Sequence, residues 1–486
     1  MLTLLVITAL SALFYMPRYS LFGHELRRVN LLSEVQRRTV NRNIPVEART
    51  DSADTSADDS VLVAPHVQLA YTDSIPEGMV AIEDYGEQMA HFYAALSETG
   101  ERLVRIAYFG DSYIEGDILT AHLRDQLQAV FGGLGVGFVD IDSETSGFRT
   151  TVASKAKGWM HHNANDERSL GFRRELQGIN GRYYIPNGTA TAELRCTPGH
   201  IGARLGKAEQ ATVYYTPGPG LQLTAALNDG ESQLLYGEPP SETPDEQMEI
   251  PDEPSTANSG QAALDTLTDS SSTTAHTLAH HTLQGDIRRF RISVTSGESS
   301  RFYGMALDGL TGIALDNYSM RASNGWKLAE IPEDMLKAFA LQRPYDLIIL
   351  HYGLNTANTE QTDYSGYTRR MKRSIEHLRQ AFPEASFLIV SVADRDEKDE
   401  DGEWHTMQGI RQLVHYQRQM AADTRVAFWN LYAAMGGDGA VADMVARRQA
   451  NLDYTHINFL GGKHLASLLF DVLINSKENY DRRISQ

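Results

Sequence analysis

Three strongly apolar runs in the last third of the chain limit its fold more than any other feature. They are DLIILHYG (346–353), SFLIVSVAD (386–394) and VAFWNLY (426–432). The segments 364–382, 406–422 and 461–475, between and after them, read as helices. Uninterrupted apolar runs of strand length suit strands buried on both faces. Alternating with helices of crossover length, they predict a parallel sheet with helices on both sides. The same unit occurs earlier. RLVRIAYF (102–109) reads as a strand ending at Gly110. After it, 117–131 sets Ile118, Leu119, His122, Leu123, Leu127, Val130 and Phe131 at three- and four-residue steps. That is the apolar stripe of a sheet-covering helix, stopped by Gly132 and Gly133.

Between these halves the period changes. Short alternating runs (GRYYIPNG, ATAELRC, ATVYYTPG, LQLTAAL, RRFRISVTS) follow one another from about 156 to 304, separated by Pro and Gly turns. They predict an all-β sandwich inserted into the α/β domain, with the acidic, Pro-rich stretch 237–260 as its solvated tip. The predicted organisation is therefore an N-terminal targeting segment (1–17), a juxtamembrane segment and linker (18–64), a first α/β part (65–155), the β insert (156–304) and a second α/β part (305–486).

A length of 486 residues suits two to three domains. The net charge of −19 argues against nucleic acid, because phosphate binding needs a basic surface. Cys196 is the single cysteine, which excludes an internal disulfide and a Cys-rich zinc site, and it reads as a core residue. The opening stretch LTLLVITALSALFY is apolar and uncharged, yet shorter than the ~20 residues that span a bilayer comfortably. It suits a signal peptide or a short anchor, so an exported, periplasmic or envelope protein is expected, with a possible membrane tether.

Four short segments carry candidate chemistry. In IAYFGDSYIEGD, Ser112 lies at the end of a strand, where catalytic groups of open α/β sheets collect. In LDYTHINFLGG, Asp453 and His456 stand three residues apart before the last helix, a spacing that puts both side chains on one side of a turn. A serine hydroxyl needs a base, and an imidazole oriented by a carboxylate is one. In LHYGLNTAN, Gly353 allows close approach of the backbone and Asn355 offers an amide donor. In ASNGW, the N–H of Gly325 is a further donor candidate. Each segment alone is weak, since turns after strands and capped helix starts look alike.

Together, in this order and context, they resemble the blocks of the SGNH/GDSL hydrolases over about 65–155 and 305–486. The resemblance implies an SGNH-type, flavodoxin-like parallel sheet, a Ser112–His456–Asp453 triad, and an oxyanion hole from Ser112, Gly325 and Asn355. Tyr113 stands where the family name has Leu, and Leu354 where Thr is usual, neither removing a catalytic group. The stretch GDSYIEGDILTAHLRDQLQAVFGGLGVGF resembles the bacterial peptidoglycan O-acetylesterases, which carry a carbohydrate-binding-like β insert. This implies removal of O-acetyl groups from an acetylated envelope glycan, with no cofactor and no metal. An O-acetyltransferase or an esterase for another exported polysaccharide stays open, as does a non-catalytic glycan-binding envelope protein.

Other groups read as structural. His161, His162, His276, His280 and His281 lack a carboxylate at metal-site spacing. Asp394, Asp396, Asp399 and Asp401 lack the spacing of a calcium loop and read as a solvated charged loop. Trp159, Tyr183, Tyr184 and Tyr215 read as core rather than as sugar-stacking platforms.

Overall fold

The structure, a computed structural model, describes residues 74–165, 171–197, 201–238, 278–297 and 299–486, and the backbone of Ser20–Leu21 and His24–Glu25. The N-terminal targeting segment, the linker, most of the acidic tip and His276 lie outside the described residues. The chain divides into two units, 1–63 and 64–486; the described residues of the first are the antiparallel pair Ser20–Leu21 and His24–Glu25.

The second unit holds the predicted parallel sheet. In chain order its strands are β1 (Ile82–Glu83), β2 (Leu103–Gly110), β12 (Gly312–Ser319), β13 (Leu347–His351), β14 (Ser386–Val390) and β17 (Ala427–Trp429). They lie in the order β12-β2-β13-β14-β17-β1, all parallel except the two-residue edge strand β1. Sequence neighbours β2 and β12 adjoin, and the chain then returns to the other side of β2. The strand order therefore reverses between β2 and β13, where open α/β sheets place their sites. Residues of β13 and β14 are buried without exception, so both sheet faces are covered. The covering helices pack as two groups. One comprises α1 (Ala90–Leu96), α2 (Thr120–Phe131) and α8 (Phe459–Ile484), and the other α3 (Glu333–Gln342), α4 (Ser365–Ala381) and α5 (Gln408–Thr424); the short α6 (Leu431–Met435) and α7 (Ala440–Ala446) precede α8.

The intervening strands are all antiparallel. They are β3 (Gly135–Val139), β4 (Val152–Asn163), β5 (Arg182–Cys196), β6 (Ala208–Thr216), β7 (Gln222–Leu227), β8 (Gln233–Tyr236), β9 (Ala279–Ile287), β10 (Arg289–Ser296) and β11 (Arg301–Asp308). Their ladders form two runs, β4-β5-β10-β7-β8 and β3-β11-β6-β9, joined through the single pair Phe302 and Tyr184. A second apolar core lies among them, built from Val152, Tyr184, Leu194, Val213, Phe290, Ile292 and Phe302. The antiparallel strands extend from Gly135 to Asp308, wider than the expected 156–304. The two apolar runs around Pro186 and Gly188 are one long strand rather than two.

Trp159, Tyr183, Tyr184 and Tyr215 are packing residues, as expected: the three tyrosines are fully buried and the Trp159 indole donates to Thr191 O at 2.8 Å. Cys196 is buried and free. The acidic run meets the expectation of a solvated charged loop at Asp399 and Asp401, which are exposed, and departs from it at its start. Asp394 and Asp396 are buried at 0 % and 3 % exposure, because β15 (Asp396–Lys398) and β16 (Trp404–Thr406) fold into a hairpin whose Thr406 hydroxyl donates to Asp394 at 2.9 Å.

Candidate active site

Parallel register brings three loops out together. Gly110 ends β2 opposite Ser319 of β12 and His351 of β13. The segments that follow, holding Ser112, residues 320–325 and Asn355, therefore emerge side by side at one edge of the sheet. Gly110 is required there, since a Cβ would sit 2.8 Å from Ile114 Cγ1 and 3.0 Å from His351 O.

The helix expected over 117–131 begins at Thr120, three residues later than its apolar stripe implied. A 3₁₀ turn, Glu115–Asp117, intervenes after Ser112, with Gly116 and Asp117 at φ of 61° and 63°. A left-handed non-glycine residue costs roughly 1–2 kcal/mol, so something must hold Asp117 there. Its fully buried carboxylate accepts from Arg124, Arg149, Thr151, Thr120 and Asn317. Burial pushes its pKa up, but the two guanidinium charges prevail and keep it well below the usual carboxylate range. The turn after Ser112 is thus pinned by charge.

His456 and Asp453 lie on the loop before α8. Asp453 Oδ1 accepts the N–H groups of Thr455 and His456, each at 3.0 Å, and its Oδ2 accepts from His456 Nδ1 at 2.8 Å. One carboxylate therefore shapes the turn and orients the ring. Its partial burial opposes ionisation, but these hydrogen bonds outweigh that and lower its pKa. His456 Nε2 lies 3.2 Å from Ser112 Oγ. The hairpin of β15 and β16 braces this loop: Trp404 stacks on Tyr454 at 3.9 Å, and Asp396 N–H donates to Tyr454 O at 3.0 Å. Two glycines seat α8 beneath it. A Cβ on Gly461 would meet Gln449 O at 2.0 Å, and one on Gly462 would meet Ile118 O at 2.0 Å.

Asn355 is also brought to the site. Its amide donates to Asp111 Oδ2 at 3.2 Å and Ser323 O at 3.0 Å, so both hydrogens have acceptors. Asp111 is 1 % exposed, and burial pushes its pKa up to about 7. Gly325 is placed differently. Its N–H donates to Ser323 Oγ at 3.2 Å, it packs against Tyr352 and Met371, and it starts the 3₁₀ turn Trp326–Glu330. It does not line the cavity in front of Ser112. Ala322 does, held at φ 58°. The N–H groups of Ser112 and Ala322 have no acceptor among the described residues. The sequence carries no sign of this, since an alanine gives no hint of left-handed backbone. The cavity holds about 480 Å³ and is lined by Ser112, Asn355 and His456 together with the exposed Phe148, Arg321 and Phe459.

No protein-family model matches this sequence, and no curated protein does. A solved peptidoglycan O-acetylesterase superposes with a TM-score of 0.61 at 17 % identity, over 82 % of this chain and 99 % of that one. Family two carbohydrate esterases from Cellvibrio japonicus (TM-score 0.24, 8 % identity, 68 % and 99 % covered) and Clostridium thermocellum (TM-score 0.24, 10 % identity, 65 % and 98 % covered) align far more loosely. The first of these shows a shared fold across most of both chains. At that identity it shows the fold alone, and the loose alignments carry no argument.

Proposed function

We propose, on the premise of this shared SGNH-type fold, that the chain is a serine esterase acting on an O-acetylated glycan. The observation that carries the reading is the continuous line from Ser112 Oγ through His456 to Asp453, with contacts of 3.2 and 2.8 Å. In this reading His456 Nε2 takes the Ser112 proton as Oγ attacks the acetyl carbonyl carbon. The oxyanion so formed faces the free N–H groups of Ser112 and Ala322, and Asn355 reaches it by releasing Asp111 or Ser323. The ring then gives its proton to the departing sugar oxygen, leaving an acetyl ester on Ser112. Water, deprotonated by the same nitrogen, attacks that ester and acetate leaves.

Hydrolysis is favoured over acetyl transfer by exposure. The side chains of His456 and Asp453 are 42 % and 49 % accessible, so water reaches the base directly. Peptidoglycan, the polymer named for the structural neighbour, is the first substrate to try. Such a substrate places the enzyme outside the cytoplasm, with the apolar N-terminal stretch as its export signal or tether. The test is acetate release from O-acetylated peptidoglycan and from other acetylated glycans, wild type against Ser112→Ala. Release lost in folded Ser112→Ala supports the esterase reading, and release retained overturns it.

A further inference from the structure

The lining of the cavity holds one strongly placed cation. Arg321 leaves the end of β12 beside Ser112 and His456, and its side chain is 60 % exposed. Its Nε lies 3.1 Å from both carboxylate oxygens of Glu115, and its Nη2 lies 2.7 Å from Oε2. Glu115 itself is only 10 % exposed. The remaining amino group, Nη1, has no partner among the described residues. One edge of the fork is therefore fixed by a nearly buried anion, and the other is unpaired on an exposed side chain that lines the cavity.

With its arginine exposed and its glutamate nearly buried, the pair is neither a free surface ion pair nor a core one. Glu115 holds the guanidinium still, so a ligand meets a planar donor edge without first ordering a long side chain. The two charges cancel, and the outward partner is the cation. That matters in a chain of net charge −19, which otherwise repels anionic polymers at long range. The same cavity is lined by Phe148 and Phe459, 63 % and 38 % exposed, which offer apolar faces to a sugar ring.

We propose that Arg321 reads a carboxylate on the sugar that bears the acetyl ester, or on its neighbour, so that the preferred substrate is an acidic acetylated glycan. This specificity rests on the esterase reading above, with Arg321 contacting substrate through its free Nη1 edge.

The experiment compares an O-acetylated, carboxylate-bearing oligosaccharide with the same compound after its carboxylate is converted to the amide. Acetate release by the full chain should favour the acid about tenfold in kcat/KM, mainly through KM. Added salt should erode the preference, because a half-exposed pair is screened. Arg321→Gln should abolish it, as should Glu115→Gln/Arg321→Gln, which keeps the hydrogen-bonding groups and leaves no carboxylate unpaired. Calorimetric binding of both compounds to Ser112→Ala asks the same question without turnover. Equal binding of acid and amide, or a preference that survives in the double variant, overturns the proposal. A binding preference lost with Arg321, alongside no Ser112-dependent acetate release, upholds the carboxylate site and sinks the esterase reading instead.

Discussion

Replacing Asp453 tests whether a half-exposed carboxylate performs the work expected of a triad member. Two unit charges about 4 Å apart interact by about 1 kcal/mol in water and about 4 kcal/mol near a protein surface. With the two side chains 49 % and 42 % accessible, the imidazolium that forms during attack gains a value between these limits. At 1.4 kcal/mol per tenfold, Asp453→Ala should lower kcat by about 10- to 10³-fold. Buried triad carboxylates fall at the upper end or beyond, about 10⁴-fold for the amide replacement.

Asp453→Asn should behave differently although it is closer in shape. Its carbonyl oxygen can still accept the N–H groups of Thr455 and His456, which now bond Oδ1 at 3.0 Å. The amide nitrogen then faces Nδ1 and donates to it, forcing the ring proton onto Nε2. That nitrogen points at Ser112 Oγ from 3.2 Å and can no longer accept its proton. The better-folded Asn variant should therefore be the slower one, by about tenfold relative to Ala, where water replaces the carboxylate. Acetate release from p-nitrophenyl acetate, with thermal melts as a folding control, measures both. Asn activity within threefold of wild type, or above that of an equally folded Ala variant, refutes the reasoning.

Two further outcomes follow from the geometry. Asp111, raised from 3.8 to about 7 by burial, is protonated in the fold at pH values where the unfolded chain is ionised. The native state thus binds more protons between about pH 4 and 7, and its stability falls as pH rises through that window, by up to about 4 kcal/mol from this group. Asp111→Asn should lose this slope, so the stability difference from wild type must shift toward the variant between pH 5 and pH 8 in urea titrations; a constant difference contradicts it. Gly462→Ala puts a methyl 2.0 Å from Ile118 O and must lift the start of α8. Overpacking of this kind costs about 1–3 kcal/mol, and a 1 Å displacement of His456 costs about 10²-fold in rate. Unchanged melting and turnover speak against the role given to that glycine.

The sequence shows the parallel strands plainly where their packing is purely apolar, as in 347–351 and 386–390. It hides β12, because that edge strand spends its central residues on polar work. Asp316 pairs with Arg343 and Tyr345, and Asn317 donates to Asp117, which breaks the apolar run. Gly-rich β3 is hidden for a related reason: Gly137 sits where Leu315 O and Asp316 approach, each within 2.5 Å of a Cβ. Pro186 and Gly188 split β5 into two apparent strands. At the site, the residues proposed to act through their side chains stand out by type and spacing, and the structure brings Ser112, His456, Asp453 and Asn355 together. Gly325 drew notice for its type, yet the free donor belongs to Ala322, whose contribution is a backbone angle. The acidic hairpin looked solvated because burial of Asp394 and Asp396 depends on Thr406 and Val441.

The antiparallel layers are bound into the site rather than hung beside it. Arg149 and Thr151, on the way into β4, close the ring of donors around Asp117 and so hold the turn after Ser112. Arg182 of β5 donates to Ser319 O at 3.1 Å, and Asn165 donates to Arg321 O at 2.7 Å. Gln177 reaches Glu330 O at 2.7 Å, beyond the same loop. At the far end of the sheet, Arg343 bridges Asp308 of β11 and Asp316 of β12 at 2.7 and 2.6 Å, all three side chains nearly inaccessible. Buried ion pairs of this kind give little net stability, since desolvation offsets attraction, but leaving one member unpaired costs about 3–5 kcal/mol. Their effect is therefore on register: any slip of the antiparallel layers against the sheet strands a buried charge. The loop that carries Arg321 and Ala322 is held from the insert side as firmly as from the sheet. Through Phe148 and this loop, the insert side sets one wall of the cavity that holds Ser112.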